Sequence, residues 1–143
     1  MTFNACKKDN NSTTNPTNNN TSGNYYFRCK VDGESWSATV PVGADTTFFG
    51  DPAFVIYNNN STAISQVLIG ILWYNSTWIL TEGTYTNDLS DDYDEIQLSP
   101  GPQLACTVDS TARIINGTFT VRLKDTFSGD VVNITDGEFR VAY

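Results

Sequence analysis

The chain contains no histidine. A Ser-His-Asp triad, a His-ligated zinc site and an imidazole acid–base pair are therefore excluded, and with them most familiar hydrolase chemistry. Mechanisms run by carboxylates alone survive, as do metals that take oxygen ligands, such as calcium. Basic residues are scarce as well: eight Lys and Arg stand against 16 Asp and Glu, a net charge of −8. That balance repels phosphate backbones and anionic lipid surfaces, which argues against nucleic acid as a partner. Cysteine is limited to Cys6, Cys29 and Cys106, so a bridge between any two leaves the third over. A helical period is missing too, since no window holds a 3.6-residue apolar spacing over a whole helix length.

Apolar side chains are absent from one segment altogether. From Lys7 to Asn24 the chain is Lys, Asp, Asn, Ser, Thr, Gly and a single Pro. Such a segment has nothing to bury that would offset the entropy of ordering, so residues 1–24 are expected to be a disordered tether. Its roughly eighteen polar residues would hold a folded domain on the order of 20–25 Å from its anchor. The anchor is expected at Cys6. Phe3-Asn4-Ala5-Cys6 places a small residue directly before a cysteine, as the lipoprotein signal peptidase requires when it cleaves ahead of a lipidated cysteine. Met1 to Ala5 are too few for a signal peptide, which we read as a truncated or misassigned start. An ordinary cysteine near a terminus is the plain alternative.

Beyond Asn24 the chain is rich in Val, Ile, Phe, Tyr and Trp, a β-type composition. Residues 25–143 are the size of one domain. Phe27, Cys29 and Val31 alternate with Arg28 and Lys30, and Asp32-Gly33 is a type I′ turn signal leading into an extended stretch from Ser35 to Val40. Further strands are expected at Ala53–Tyr57, Ile64–Tyr74, Trp78–Leu80, Gly83–Tyr85, Glu95–Ser99 and Leu104–Val108. Ile115, Gly117, Phe119, Val121 and Leu123 alternate with polar residues, which predicts a long strand with a bulge at Gly117; Asn116-Gly117 as a tight hairpin turn is the alternative. Val131–Ile134, a turn at Asp136-Gly137 and a closing strand from Glu138 to Tyr143 complete the pattern. The whole predicts an all-β fold, an antiparallel sandwich or barrel-like sheet of about 8–10 strands.

Phe27-Arg-Cys-Lys-Val-Asp-Gly-Glu-Ser-Trp36 after a polar tether, Glu82-Gly-Thr-Tyr85 midway, and Asn116-Gly-Thr-Phe119 leading to Ile134-Thr-Asp-Gly-Glu-Phe139 together resemble small envelope lipoproteins of unknown function abundant in Bacteroidota. The resemblance implies an all-β fold and an outer-membrane location, periplasmic or surface-exposed, with membrane attachment through the lipid. It carries over no catalytic residue. The oxidising envelope and the apolar-face positions of Cys29 and Cys106 predict a disulfide between them; two separate buried thiols are the alternative.

Two further groups are candidate sites. Asp88, Asp91, Asp92, Asp94 and Glu95 crowd into one stretch, an oxygen-rich loop suited to calcium, although it lacks the spacing and glycine of an EF-hand; a solvated acidic loop is the plain reading. Trp73, Tyr74 and Trp78 flank Asn75-Ser76-Thr77, where a hairpin tip would offer rings for stacking on a sugar, core packing being the plain reading. The functional expectation is a non-catalytic binding or accessory module of the envelope. A structural subunit of an outer-membrane protein complex and a carboxylate-dependent glycan hydrolase stand as alternatives. With an upstream signal peptide supplied, labelled palmitate is expected to enter the protein and to be lost in Cys6→Ala; label retained in that variant would remove the anchor.

Overall fold

Three tight turns shape the first half of the chain. Asp32-Gly33, Phe49-Gly50 and Asn75-Ser76 each place two consecutive residues at positive φ (47° and 88°, 51° and 91°, 48° and 62°), the geometry whose twist matches paired antiparallel strands. The computed structural model describes residues 25–60, 62–87 and 91–143. Its strands are β1 (Tyr26–Val31), β2 (Glu34–Ser37), β3 (Pro41–Phe48), β4 (Asp51–Asn58), β5 (Ser65–Tyr74), β6 (Thr77–Asn87), β7 (Asp91–Ile96), β8 (Gln103–Asp109), β9 (Ile114–Asp125) and β10 (Val131–Ala142). They form one antiparallel sheet in the order β2-β1-β10-β9-β7-β6-β5-β4-β3, with β8 also paired to β9. β7 and β8 share one edge of β9: β8 pairs with Ile114 to Thr120, β7 with Leu123 to Asp125.

The inner-facing residues show how far this sheet curls. Phe27, Ile56, Ile69, Ile115, Leu123, Phe139 and Val141 are fully buried although they come from strands far apart in the sheet order, and they belong to one core. Each such side chain contributes about 1.5–3 kcal/mol of burial. Wrapping a single sheet around them gives a half-barrel. Its two edges are joined through Ala38–Val40, which carries the chain from β2 to β3. Here the buried Asn58 side chain accepts the Val40 N–H at 3.0 Å, and the Asn59 N–H donates to the Val40 carbonyl at 2.8 Å. On the far side β3 reaches β10, so closely that a Cβ on Gly43 would meet Val141 Cγ2 at 2.8 Å.

The all-β, barrel-like expectation holds, and several local expectations are corrected. β3 lies where no strand was predicted; it alternates weakly, because it is an edge strand with an exposed outer half. Trp78–Leu80 and Gly83–Tyr85 are one strand, β6, whose register shift at Thr81 breaks the alternation. β7 begins at Asp91 and ends at Ile96, displacing the strand expected at Glu95–Ser99. Gly117 sits in regular register opposite Phe139 and Cys106, so it is neither a bulge nor a turn. The bulge lies instead in β10 between Ile134 and Gly137, where Asp136 takes φ 50°. The Asp-Gly pair read as a turn is thus a kink inside a continuous strand.

Gly117 is needed for another reason. A Cβ there would fall on the Ala105 carbonyl and meet Cys106 Cβ at 2.7 Å and Phe139 Cζ at 2.8 Å. Gly33 has open space around it and only its positive φ to satisfy. Gly117→Ala is expected to cost about 2–3 kcal/mol through overpacking, and Gly33→Ala about 1 kcal/mol through backbone strain. Urea midpoints of the two variants test this; equal losses would show that Gly117 is not packed as described.

Candidate functional site

From Asp91 to Ile96 the acidic stretch folds as β7, and Asp92, Asp94 and Glu95 reach different partners. Asp92 accepts the Thr86 hydroxyl at 3.0 Å, Asp94 accepts the Thr126 hydroxyl at 3.1 Å, and Glu95 pairs with Lys124 at 3.7 Å. Each is engaged by a different element. Asp91 is paired in the β6–β7 ladder with Asn87, and Asp88 lies outside the described residues. Among the described residues no three acidic or thiol side chains gather as metal ligands.

Trp73 and Trp78 form a cross-strand pair on the inner face, with ring centroids 5.1 Å apart. Trp78 also packs on Phe54 at 5.3 Å, and Phe54 on Tyr143 at 4.6 Å. Tyr74 falls on the opposite face, so the three rings proposed as a stacking platform do not share one surface. The indoles instead help to plug one end of the half-barrel. Arg113 completes that plug, its guanidinium 4.8 Å from the Tyr143 ring centre.

Cys29 and Cys106 are free thiols, so the expected disulfide is not formed. The strand order β1-β10-β9-β8 puts two strands between them. Three interstrand steps of about 4.8 Å exceed the roughly 7 Å that a bridge can span. Cys6 lies outside the described residues.

The opposite end of the half-barrel is open. Its inner face is set by register: Trp36 lies across from Cys29 and Glu34 across from Val31 on the β1–β2 hairpin, while Tyr85 faces inward beside Val67 and opposite Tyr93. The Tyr85 and Tyr93 rings are 5.8 Å apart and inclined by 34°. Trp36 is held edge-on against Phe27 at 5.3 Å and donates its Nε1–H to the Ser65 carbonyl at 3.4 Å. Val31 and Val132 form the floor of a cup of about 340 Å³, and Asn87 stands at its rim. That volume is at the small end of the range typical of small-molecule sites.

Electrostatics distinguish the cup from other depressions. Asp32 at its rim has its Oδ1 fixed by the Asn133 N–H at 2.8 Å. Burial, then the Asp32 charge and the Cys29 thiol, raise the Tyr85 hydroxyl above the usual tyrosine range. At the same end Asp125, paired with Tyr93, accepts the Phe127 N–H at 2.6 Å and the Ser128 N–H at 3.1 Å, which lowers its pKa. Glu34 faces inward with no hydrogen-bond or ion-pair partner among the described residues. Among those residues no lysine or arginine lines the cup; nearby Lys30 and Lys124 occupy outer-face positions, paired with Asp136 and Glu95. A larger depression of about 630 Å³ crosses the outer face of β8, β9 and β10 around Thr118, but its Glu138 and Asp136 are already paired with Arg28 and Lys30. A third, of about 340 Å³, lies on the outer face over Gly70 between Phe48 and Leu72.

Glu34, Trp36, Tyr85 and Tyr93 were not singled out from the sequence. Glu34, Trp36 and Tyr85 lie in stretches that carry the family resemblance, but what marks them and Tyr93 for the cup is an inward place in the pleat of their own strands. No protein-family model, no curated protein and no solved structure matches the chain.

Neither thiol is placed to act as a nucleophile. Burial pushes Cys29 from 9.0 up to about 12 and Cys106 up to about 11, so both remain protonated at neutral pH. Unfolding exposes them, and the unfolded thiols ionise first. Their contribution to stability is complete below about pH 9 and declines as pH rises toward their native values. Urea midpoints measured from pH 8 to pH 10.5 should therefore fall with a slope that is shallower in Cys29→Ala, whatever that variant loses in packing; identical slopes would show that Cys29 is not buried as a thiol.

Proposed function

We propose that the chain is a non-catalytic binding module of the bacterial envelope, carried on a lipid at Cys6 through the polar tether, and that the cup is where it takes its ligand. The observation that supports this most is the contrast between the barrel's two ends. One is filled by Trp73, Trp78, Phe54 and Tyr143; the other leaves Trp36, Tyr85 and Tyr93 around an open cavity with an inward carboxylate that has no partner among the described residues. A mouth of a β-barrel lined with rings and a few polar groups is a common setting for ligand sites. The chemistry around it suits binding better than catalysis, since the thiols are held protonated and Asp92, Asp94 and Glu95 are engaged in strand-to-strand contacts.

A second reading, a structural subunit of an outer-membrane complex, draws support from the β3–β4 tip. Phe48 is 56% exposed and Phe49 95% exposed there, side by side with ring centroids 4.6 Å apart. A mild-detergent pull-down of the lipidated protein from its native membrane, followed by incubation with envelope oligosaccharides, separates the readings. We expect the protein without a stoichiometric partner and without product release. A stoichiometric partner lost in Phe49→Ser would favour the structural subunit, and turnover abolished by substitution of Asp92 or Glu95 would establish the hydrolase.

A further inference from the structure

We infer that the cup binds a small organic cation, of the alkylammonium or quaternary ammonium class, by setting it against the Trp36 and Tyr85 rings with the Glu34 carboxylate beside it. The inference rests on the reading of the cup as a ligand site and specifies what enters it. Three features carry it. The first is the wall: an indole and a phenol on β2 and β6, faced by the Tyr93 ring on β7, enclose a cavity too small for an extended ligand. Aromatic faces carry a negative quadrupole and attract cations, most strongly where water is displaced.

The second is charge. Glu34 stands on the concave face among these rings without a partner among the described residues, and Asp32 lies at the rim close enough for its charge to act on the Tyr85 hydroxyl. Asp125 adds a carboxylate held ionised by two backbone N–H groups at the same end. Among the described residues nothing basic lines the cavity to neutralise them. An anionic ligand is repelled by such a site, and a neutral one gains from Glu34 a hydrogen bond without the charge attraction.

The third is a comparison within the molecule. Two tyrosine rings elsewhere on the surface are each covered by an arginine: Arg113 lies 4.8 Å from the Tyr143 ring centre and Arg28 4.9 Å from that of Tyr26. In the cup the carboxylates and rings are present, while the nearby lysines are turned to the outer face. The site also suits an organic cation better than a hard metal ion. Calcium takes six to eight oxygen ligands, whereas the described lining supplies two carboxylates, Asp32 and Glu34, of which Asp32 already accepts from Asn133 through Oδ1.

Titration of the whole protein with choline, followed by the ring resonances of Tyr85 and Tyr93 and the indole resonance of Trp36 at constant ionic strength, tests the inference. The matched probe is 3,3-dimethyl-1-butanol, which has the shape of choline without its charge. We expect saturable shifts of these rings with choline, binding at least about tenfold weaker for the neutral alcohol, and a loss of about three- to fivefold in affinity for choline in Glu34→Gln. Because Glu34 is exposed and unpaired among the described residues, that variant should keep its fold; Tyr93→Leu adds a test of the wall, read only if its thermal unfolding stays cooperative. Equal binding of the neutral alcohol, an unchanged affinity in Glu34→Gln, or displacement of choline by stoichiometric calcium would overturn the cation assignment. Saturable shifts with the alcohol or with glucose but not with choline would overturn it and leave the binding-module reading standing. No response of the rings to any probe would count against both.

Discussion

Two phenylalanines lying across two glycines set the shape of this protein. In the β9–β10 ladder Phe139 faces Gly117 and Phe119 faces Gly137. A Cβ on either glycine would collide with the ring opposite. With no side chain on the glycines, the rings drop onto the neighbouring backbone, where they meet each other at 6.3 Å and Phe27 meets Phe119 at 5.8 Å. Large side chains are thus drawn into the middle of the concave face, and the sheet must curl to cover them. The bulge after Ile134 supplies extra bend at the same place.

That centre divides the interior into two unlike ends. Toward the β5–β6 turn the cavity is closed by aromatic side chains stacked from Trp73 to Tyr143, with an arginine over the last ring. Toward the β1–β2 turn the four-residue β2 contributes only Glu34 and Trp36 to the inner face. The inside there is left as a cup. Acids collect around this mouth for a structural reason: aspartates hold its turns together, Asp32 by accepting from Asn133 and Asp125 by capping the turn after β9. The field that favours a cation is therefore partly a by-product of how the hairpins are closed.

Much of the scaffold was legible in the sequence, and the site was not. β5 stood out as a long apolar run, and period-2 patterning located β1, β8 and β9, each of which turns one face to a common core. It missed β3, an edge strand with little to bury, and split β6 and β10, where a register shift or bulge moves the alternation to the other face. Nearness in sequence does not decide what shares a surface: Asp92, Asp94 and Glu95 are engaged by different elements, and the pleat sends the neighbouring aromatics Trp73 and Tyr74 to opposite faces. The residues of the cup come from β2, β6 and β7, far apart in the chain, so only the curl of the sheet unites them. The disulfide expectation failed for the same reason: two inward positions say nothing about how many strands lie between.

One end of the half-barrel core is open, ringed by aromatics and lined by acidic side chains. Paramagnetic broadening of side-chain resonances by soluble nitroxides of opposite charge measures all three properties together. At low salt a cationic nitroxide should broaden the Trp36, Tyr85 and Tyr93 rings more than an anionic one, the difference should shrink as the ionic strength passes about 0.1 M, and the buried Phe139 ring should respond to neither. Equal broadening by the two probes, or rings at the mouth as silent as Phe139, would contradict the account.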